Sequence, residues 1–214
     1  MIKTTAAYKE ALKENGIFHH KVVINFQDGS NDTVEDLDIY TLQISEGTSN
    51  TSSFDLGAAI AQQLTLKLNN IDGRFDEHDF NGAVITVQVG LELLDGSTEW
   101  LDKGKYTAEP GEESGNSISV KAFDDMTKFD QSYSLSKLVY PTTLGTIVRD
   151  ACSCCGVTLA SDTATFDNDN FIVQNRPDDS ALTFRQVLQW VGQIACKFFK
   201  IDRFGKLSAQ WYDT

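Results

Sequence analysis

Two alternating runs constrain this chain more than any other feature. In the first, Ile60, Gln62, Leu64, Leu66 and Leu68 share one face; in the second, Ala83, Ile85, Val87, Val89, Leu91 and Leu93 do the same. A period of two sustained that long is the pattern of half-buried β-strands. Between them lies NNIDGRFDEHDF, residues 69–80, rich in acids and amides. An EF-hand loop places oxygen ligands at its first, third and fifth positions, glycine at the sixth and a bidentate Glu at the twelfth. With Gly73 as that glycine, Asn70 and Asp72 fit, but Leu68 falls first and Asp79 last. The match fails at both ends. Asn69-Asn70, Asp72-Gly73 and Asn81-Gly82 are turn formers, and Phe75 and Phe80 act as apolar pegs, so the stretch reads as a strand connection. No metal site is expected; Asn70, Asp72, Asp76 and Asp79 are the candidate ligands of a calcium alternative.

The same period appears on either side. Phe18, His20, Val22, Ile24 and Phe26 line one face of a strand ending at Asp28-Gly29. A polar, acidic loop follows, then a strand near Ile39 to Ile44 and a Gly/Ser/Thr/Asn-rich loop from Glu46 to Ser53. Trp100-Leu101, Lys105 to Ala108 and Ser117 to Ala122 complete an antiparallel run, which closes into a barrel or folds into a sandwich. Ahead of it, residues 4–15 form a short helix with Thr4 or Thr5 as cap and Gly16 as stop.

After Phe123 the period lengthens. One or two helical turns at Asp124 to Asp130 and a linker from Gln131 to Pro141 lead into a helix. Its face is Leu144, Ile147, Val148, Ala151, Cys152 and Cys155, with Gly156 as stop. A polar loop, a short strand at Phe171 to Val173 and a turn at Pro177-Asp178-Asp179 come next. Thr183 with Gln186 fits a capping box and Leu182 with Val187 a hydrophobic staple, opening a second helix. In the closing hairpin, Phe199 and Ile201 face Leu207, Ala209 and Trp211. The expected fold class is therefore α+β. An N-terminal helix (1–16) precedes a β-barrel domain (17–130), and a helix-helix-hairpin module follows (131–214).

Charge and motifs narrow the function classes. Thirty-one acids against 18 bases give 214 residues a net charge of −13, which opposes tracking along nucleic acid or docking on anionic lipid. No apolar run approaches the length of a membrane-spanning helix. Cys152, Cys154, Cys155 and Cys196 match no common zinc spacing, and two of them sit on an apolar helix face. His19 and His20 are adjacent in a strand and so point to opposite faces, which argues against a shared ligand role. There is no G-x-S-x-G elbow, H-E-x-x-H, P-loop or G-x-G-x-x-G. No catalytic or cofactor-binding residue is assigned and no cofactor is expected. An enzyme reading would have to use Glu109, Glu112 or Glu113.

The order of segments resembles a known family. The run from SFDLGAAIAQQLTLKLNNIDGRFDEHDFNGAVITVQVGL, through DGSTEWLDKGKYTAEP, SISVKAFDDMTKFDQSY and YPTTLGTIVRDACSCCGV, to LTFRQVLQWVGQIACKFFKIDRFGKLSAQWYD is similar to prophage tail proteins of the baseplate hub or tail-associated (tail tip) type. That family is related to the hub of contractile-tailed phages and the spike of type VI secretion. The resemblance implies tube-type β-barrel domains, two per chain, and a homotrimer forming a ring. The partners implied are a tail tube or distal tail protein on one side and a spike or fibre protein on the other. No membrane and no sequence-specific nucleic acid is involved. The implied location is the virion tail, assembled in the host cytoplasm, and the role is structural. The family continues into further domains where this chain stops, so either the chain is an N-terminal fragment or the later parts are separate chains. On the bare residues, a carbohydrate-binding or adhesive β module using Trp100, Tyr106 or Trp211 as stacking platforms is the alternative. The strands at 59–68 and 83–94 are expected to offer edges to a neighbouring subunit.

Overall fold

The computed structural model describes residues 2–14, 16–47 and 56–211. Most of the loop expected from Glu46 to Ser53 lies outside them. The chain divides into two compact units, one of residues 1–43 and 64–122, the other of residues 44–63 and 123–214.

The first unit is built on a mostly antiparallel sheet. Its strands are β1 (Phe18–Asn25), β2 (Asn31–Glu35), β3 (Ile39–Ser45), β4 (Gln63–Asn69), β5 (Val84–Glu92), β6 (Thr98–Ala108), β7 (Glu112–Ser114) and β8 (Ser117–Phe123). They lie in the order β2-β1-β5-β6-β8-β4-β3, with β7 against β8. Register explains the core. Val34, Val22, Val87 and Gly104 form one row across four strands, and Ile24, Ile85 and Tyr106 form the next. Apart from Gly104, which is also buried, each of these side chains is at most 1% exposed, as are Leu64, Leu66 and Leu68 on β4. Gly104 is required there, because a Cβ would lie 2.3 Å from the Tyr106 hydroxyl. A bulge between Val87 and Gln88 shifts the β5–β6 register. Helix α1 (Ala6–Lys13) precedes the sheet, with the Thr5 hydroxyl accepting the Tyr8 N–H at 3.1 Å.

Four expectations need correction. The sheet does not close into a barrel: β2 and β3 end the strand order and are joined only through a 3-10 turn at Asp36–Asp38. The free edges are accordingly β2 and β3, whereas β4 and β5 are flanked on both sides. The polar loop after Gly29 contains β2, whose lone apolar residue, Val34, is fully buried. The alternation from Ile60 to Leu68 also proves to be two pieces. Strand β4 starts at Gln63, while Ala59 bridges Phe199 in the second unit. In the first piece Ala58 and Ala59 are buried and Ile60 is half-buried, so a single buried face begins only at Gln62.

The second unit packs two helices, α2 (Leu144–Cys155) and α3 (Phe184–Ala195), with two small sheets. In a separate two-stranded sheet β9 (Thr142–Thr143) pairs with β11 (Ile172–Val173); in the three-stranded one β10 (Thr158–Leu159) runs parallel to β13 (Lys206–Gln210), which pairs with β12 (Phe198–Ile201). The Thr183/Gln186 capping box forms, and α2 is capped by Thr143 and ends at Gly156 with φ +66°. Leu144, Ile147, Val148 and Ala151 share one buried cluster with Phe184, Val187, Leu188 and Val191. The linker between Gln131 and Pro141 holds a 3-10 turn at Tyr133–Leu135, with Tyr133 buried against Phe184.

Asp124 is the buried acid of this unit. Its carboxylate accepts the Met126 N–H at 3.1 Å, capping the 3-10 helix Asp125–Asp130, and its own N–H donates to Gln62 O at 3.1 Å. Burial pushes its carboxyl up to about 7, against the opposing effect of backbone hydrogen bonds to the carboxyl from Gln62 and Met126 and of the Arg185 charge. A carboxyl raised on folding binds its proton more tightly in the folded chain, so stability falls as the pH climbs from about 4 through about 7. Asp124→Asn keeps the capping oxygen and removes the charge. It should raise the melting temperature at pH 8, by an upper limit on the order of 4 kcal/mol in stability, and change little at pH 4. Thermal unfolding at the two pH values checks this.

Candidate assembly surface at the open corner of the sheet

The stretch from Asn69 to Phe80 leaves β4 as a series of turns whose side chains are used locally. Asn70 Oδ1 accepts the Phe75 N–H at 3.0 Å, and its Nδ2 donates to Asp76 Oδ1 at 2.7 Å. Asp72 Oδ1 accepts the Arg74 N–H at 3.3 Å, and Asp79 Oδ1 accepts the Asn81 N–H at 2.8 Å. Gly73 adopts φ +72°, the left-handed conformation its turn requires. One side-chain oxygen each of Asn70, Asp72, Asp76 and Asp79 thus accepts from a backbone or amide donor within the loop. Among the described residues no group of three His, Cys, Asp or Glu side chains is placed to hold a metal ion. Phe75 and Phe80 are buried at 1% and 2% exposure and meet at 5.7 Å between ring centroids. Phe26 packs edge-on to Phe80 and stacks on His78 at 4.3 Å.

What the loop delivers is Arg74. Its Nε donates to Asp32 Oδ2 at 2.9 Å and its Nη1 to Asp38 Oδ2 at 2.9 Å, while its Nη2 donates to Asp32 Oδ1 and to Thr33 O. Asp32 and Thr33 belong to β2, and Asp38 closes the turn before β3. One planar guanidinium therefore ties the end of the sheet to the turn that follows it, with the bidentate geometry that Arg alone offers. The hydrogen bond to Asp32, supported by Asp38, raises Arg74 above its already high value. The turn's middle residue, Leu37, is 93% exposed, and Tyr40 on β3 is 57% exposed.

The histidines depart from their expected opposition. His19 Nδ1 lies 3.1 Å from Asp36 Oδ2, and His20 Nδ1 lies 2.9 Å from Asp36 Oδ1, which also accepts the His20 N–H at 2.9 Å. Asp36 sits where β2 stops pairing with β1, so it stands at the strand's edge and reaches both faces. His19 Nε2 is also 3.4 Å from Glu92 Oε2. Burial alone would raise Asp36, but the hydrogen bonds from His20 and His19 hold it below the ordinary carboxylate value.

Other candidate residues are scattered. Glu109 and Glu112 border a shallow groove with Lys121, and Glu113 is exposed on β7. Tyr106 is 1% exposed and Trp100 lies under the Lys21 ammonium at 3.9 Å, so neither is an open stacking platform; Trp211 is 45% exposed. Cys152 and Cys155 are buried, and burial pushes both thiols up to about 12, against the thiolate form a zinc ligand needs. Sequence reasoning missed Arg74 and Asp36. The available signal was an acid-apolar-acid turn, Asp36-Leu37-Asp38, near one otherwise unexplained arginine.

No protein-family model and no curated protein sequence matches the chain. Solved structures do. The 43 kDa tail protein of prophage MuSo2 from Shewanella oneidensis aligns over 89% of this chain and 54% of its own, with a TM-score of 0.56 and 14% identity. This chain has the fold of a prophage tail protein. A chain of the Francisella PdpA-VgrG complex aligns over 90% of this one and 31% of its own, with a TM-score of 0.53 and 14% identity. The chain thus spans about half the length of the first of these structures and less of the second.

Removing the guanidinium leaves Asp32 and Asp38 facing each other without a counter-charge. Arg74→Met should cost about 1–3 kcal/mol and speed amide exchange across residues 32–38, read by thermal unfolding and hydrogen exchange. Calcium added to the parent chain should leave the melting temperature unchanged.

Proposed function

We propose that the chain is a structural, non-enzymatic component of a phage tail tip or baseplate hub, joining the tail tube to the spike or fibre within a ring of like subunits. The alignment of nearly nine-tenths of the chain with a prophage tail protein carries this reading. The open sheet supports it, because free β2 and β3 edges next to outward Leu37 and Tyr40 suit pairing with a neighbouring chain. In this reading the strands supply the ring-forming part and residues 131–214 an accessory module, with a homotrimer as the working assembly and the virion tail as its place. The acidic balance suits a partner that is protein rather than nucleic acid.

Deleting the gene from an inducible prophage tests the proposal. Electron micrographs of the induced particles should show tails that fail to assemble or that lack their tip, restored when the gene is supplied in trans. Normal tails from the deletion strain would overturn it.

A further inference from the structure

Charge state at the open corner follows from hydrogen-bond bookkeeping. A carboxylate presents only lone pairs, so a ring nitrogen facing one must carry hydrogen. Neutral imidazole has a single N–H. His20 meets Asp36 through Nδ1 alone, and a neutral ring with its proton on Nδ1 satisfies that contact. His19 meets a carboxylate with both nitrogens, Asp36 through Nδ1 and Glu92 through Nε2. Only the imidazolium satisfies both.

We propose that His19 is a proton-operated brace: as an imidazolium it links the Asp36–Asp38 turn to the end of β5 through Glu92, and on losing its proton it releases one of the two. The neutral ring must turn a bare lone pair toward one carboxylate, and the repulsion opens that contact. The charged groups around it are Asp36 from the turn, Glu92 from β5 and His20 from β1 itself. The two acids favour the proton, and His20 competes for Asp36 when it is charged. Arg74 works on the far side of the turn, through Asp38. Consistent with this geometry, the hydrogen bonds to Asp36 and then Glu92 raise His19 above the ordinary histidine value. A raised histidine stabilises the folded corner fully below its unfolded value, near 6.5, and that stabilisation is lost as the pH rises through the folded value. The turn carrying Leu37 is therefore firm below the ordinary histidine value and loosened above the raised one. This property belongs to the corner itself and holds whether or not the assembly reading does.

The His20 backbone N–H, bonded to Asp36 Oδ1, is the natural reporter. NMR would follow its amide exchange, and that of residues 36–38, from about pH 5.5 to about pH 8.5, corrected for base catalysis, beside the ring nitrogen shifts of His19. Protection should fall several-fold with a midpoint matching the His19 ring. His19→Gln should show the loosened value at every pH, and His19→Arg, a permanent cation, should stay protected at the alkaline end. A His19→Gln chain whose protection still titrates like the parent would overturn the proposal. So would parent ring shifts of a neutral His19 at a pH where the turn is protected, a reading that requires no variant to fold.

Discussion

One guanidinium shared between two carboxylates organises the end of the sheet. Arg74 reaches from the β4–β5 loop to Asp32 on β2 and Asp38 before β3, holding the turn between the two strands that end the sheet. Without it, Asp32, Asp36 and Asp38 would crowd one corner of a strongly acidic chain. The histidines complete the arrangement from the other side by taking Asp36. The apolar residues of the same loop, Phe75 and Phe80, are buried, so the loop contributes both to the core and to the charge balance of the corner.

Much of this architecture is legible in the residues. The strands around Leu66 and Ile85 announce themselves through alternation, and α3 through Thr183, Gln186 and its apolar face. Local rules suffice there, because the partners lie within a few positions of each other. Strand β2 is harder to see: Asn31–Glu35 has one apolar residue, and its place depends on pairing with β1. The break inside Ile60 to Leu68 is invisible because the residue types go on alternating across it although burial does not.

The candidate site was less legible for a related reason. Arg74 pairs with residues 42 and 36 positions earlier, a choice made by the sheet order and not by neighbours in the chain. His19 and His20 are neighbours in β1, for which the strand rule predicts separate surroundings, yet both reach Asp36. What that rule omits is that a residue at the strand's edge, here Asp36, meets both faces at once. The open sheet is a similar case. A strand count near seven is compatible with closure, and only the pairing order shows that β2 and β3 remain apart.

In the proposed assembly the β2 and β3 edges of the unclosed sheet, beside the firmly held turn, are where a neighbouring chain would pair. The most direct measurement of the proposed role is a cryo-electron-microscopy map of a particle assembled with this chain. The account predicts a neighbouring polypeptide lying along the β2 or β3 edge, with Leu37 buried by it. A map in which both edges and Leu37 face solvent in the assembled particle would contradict it.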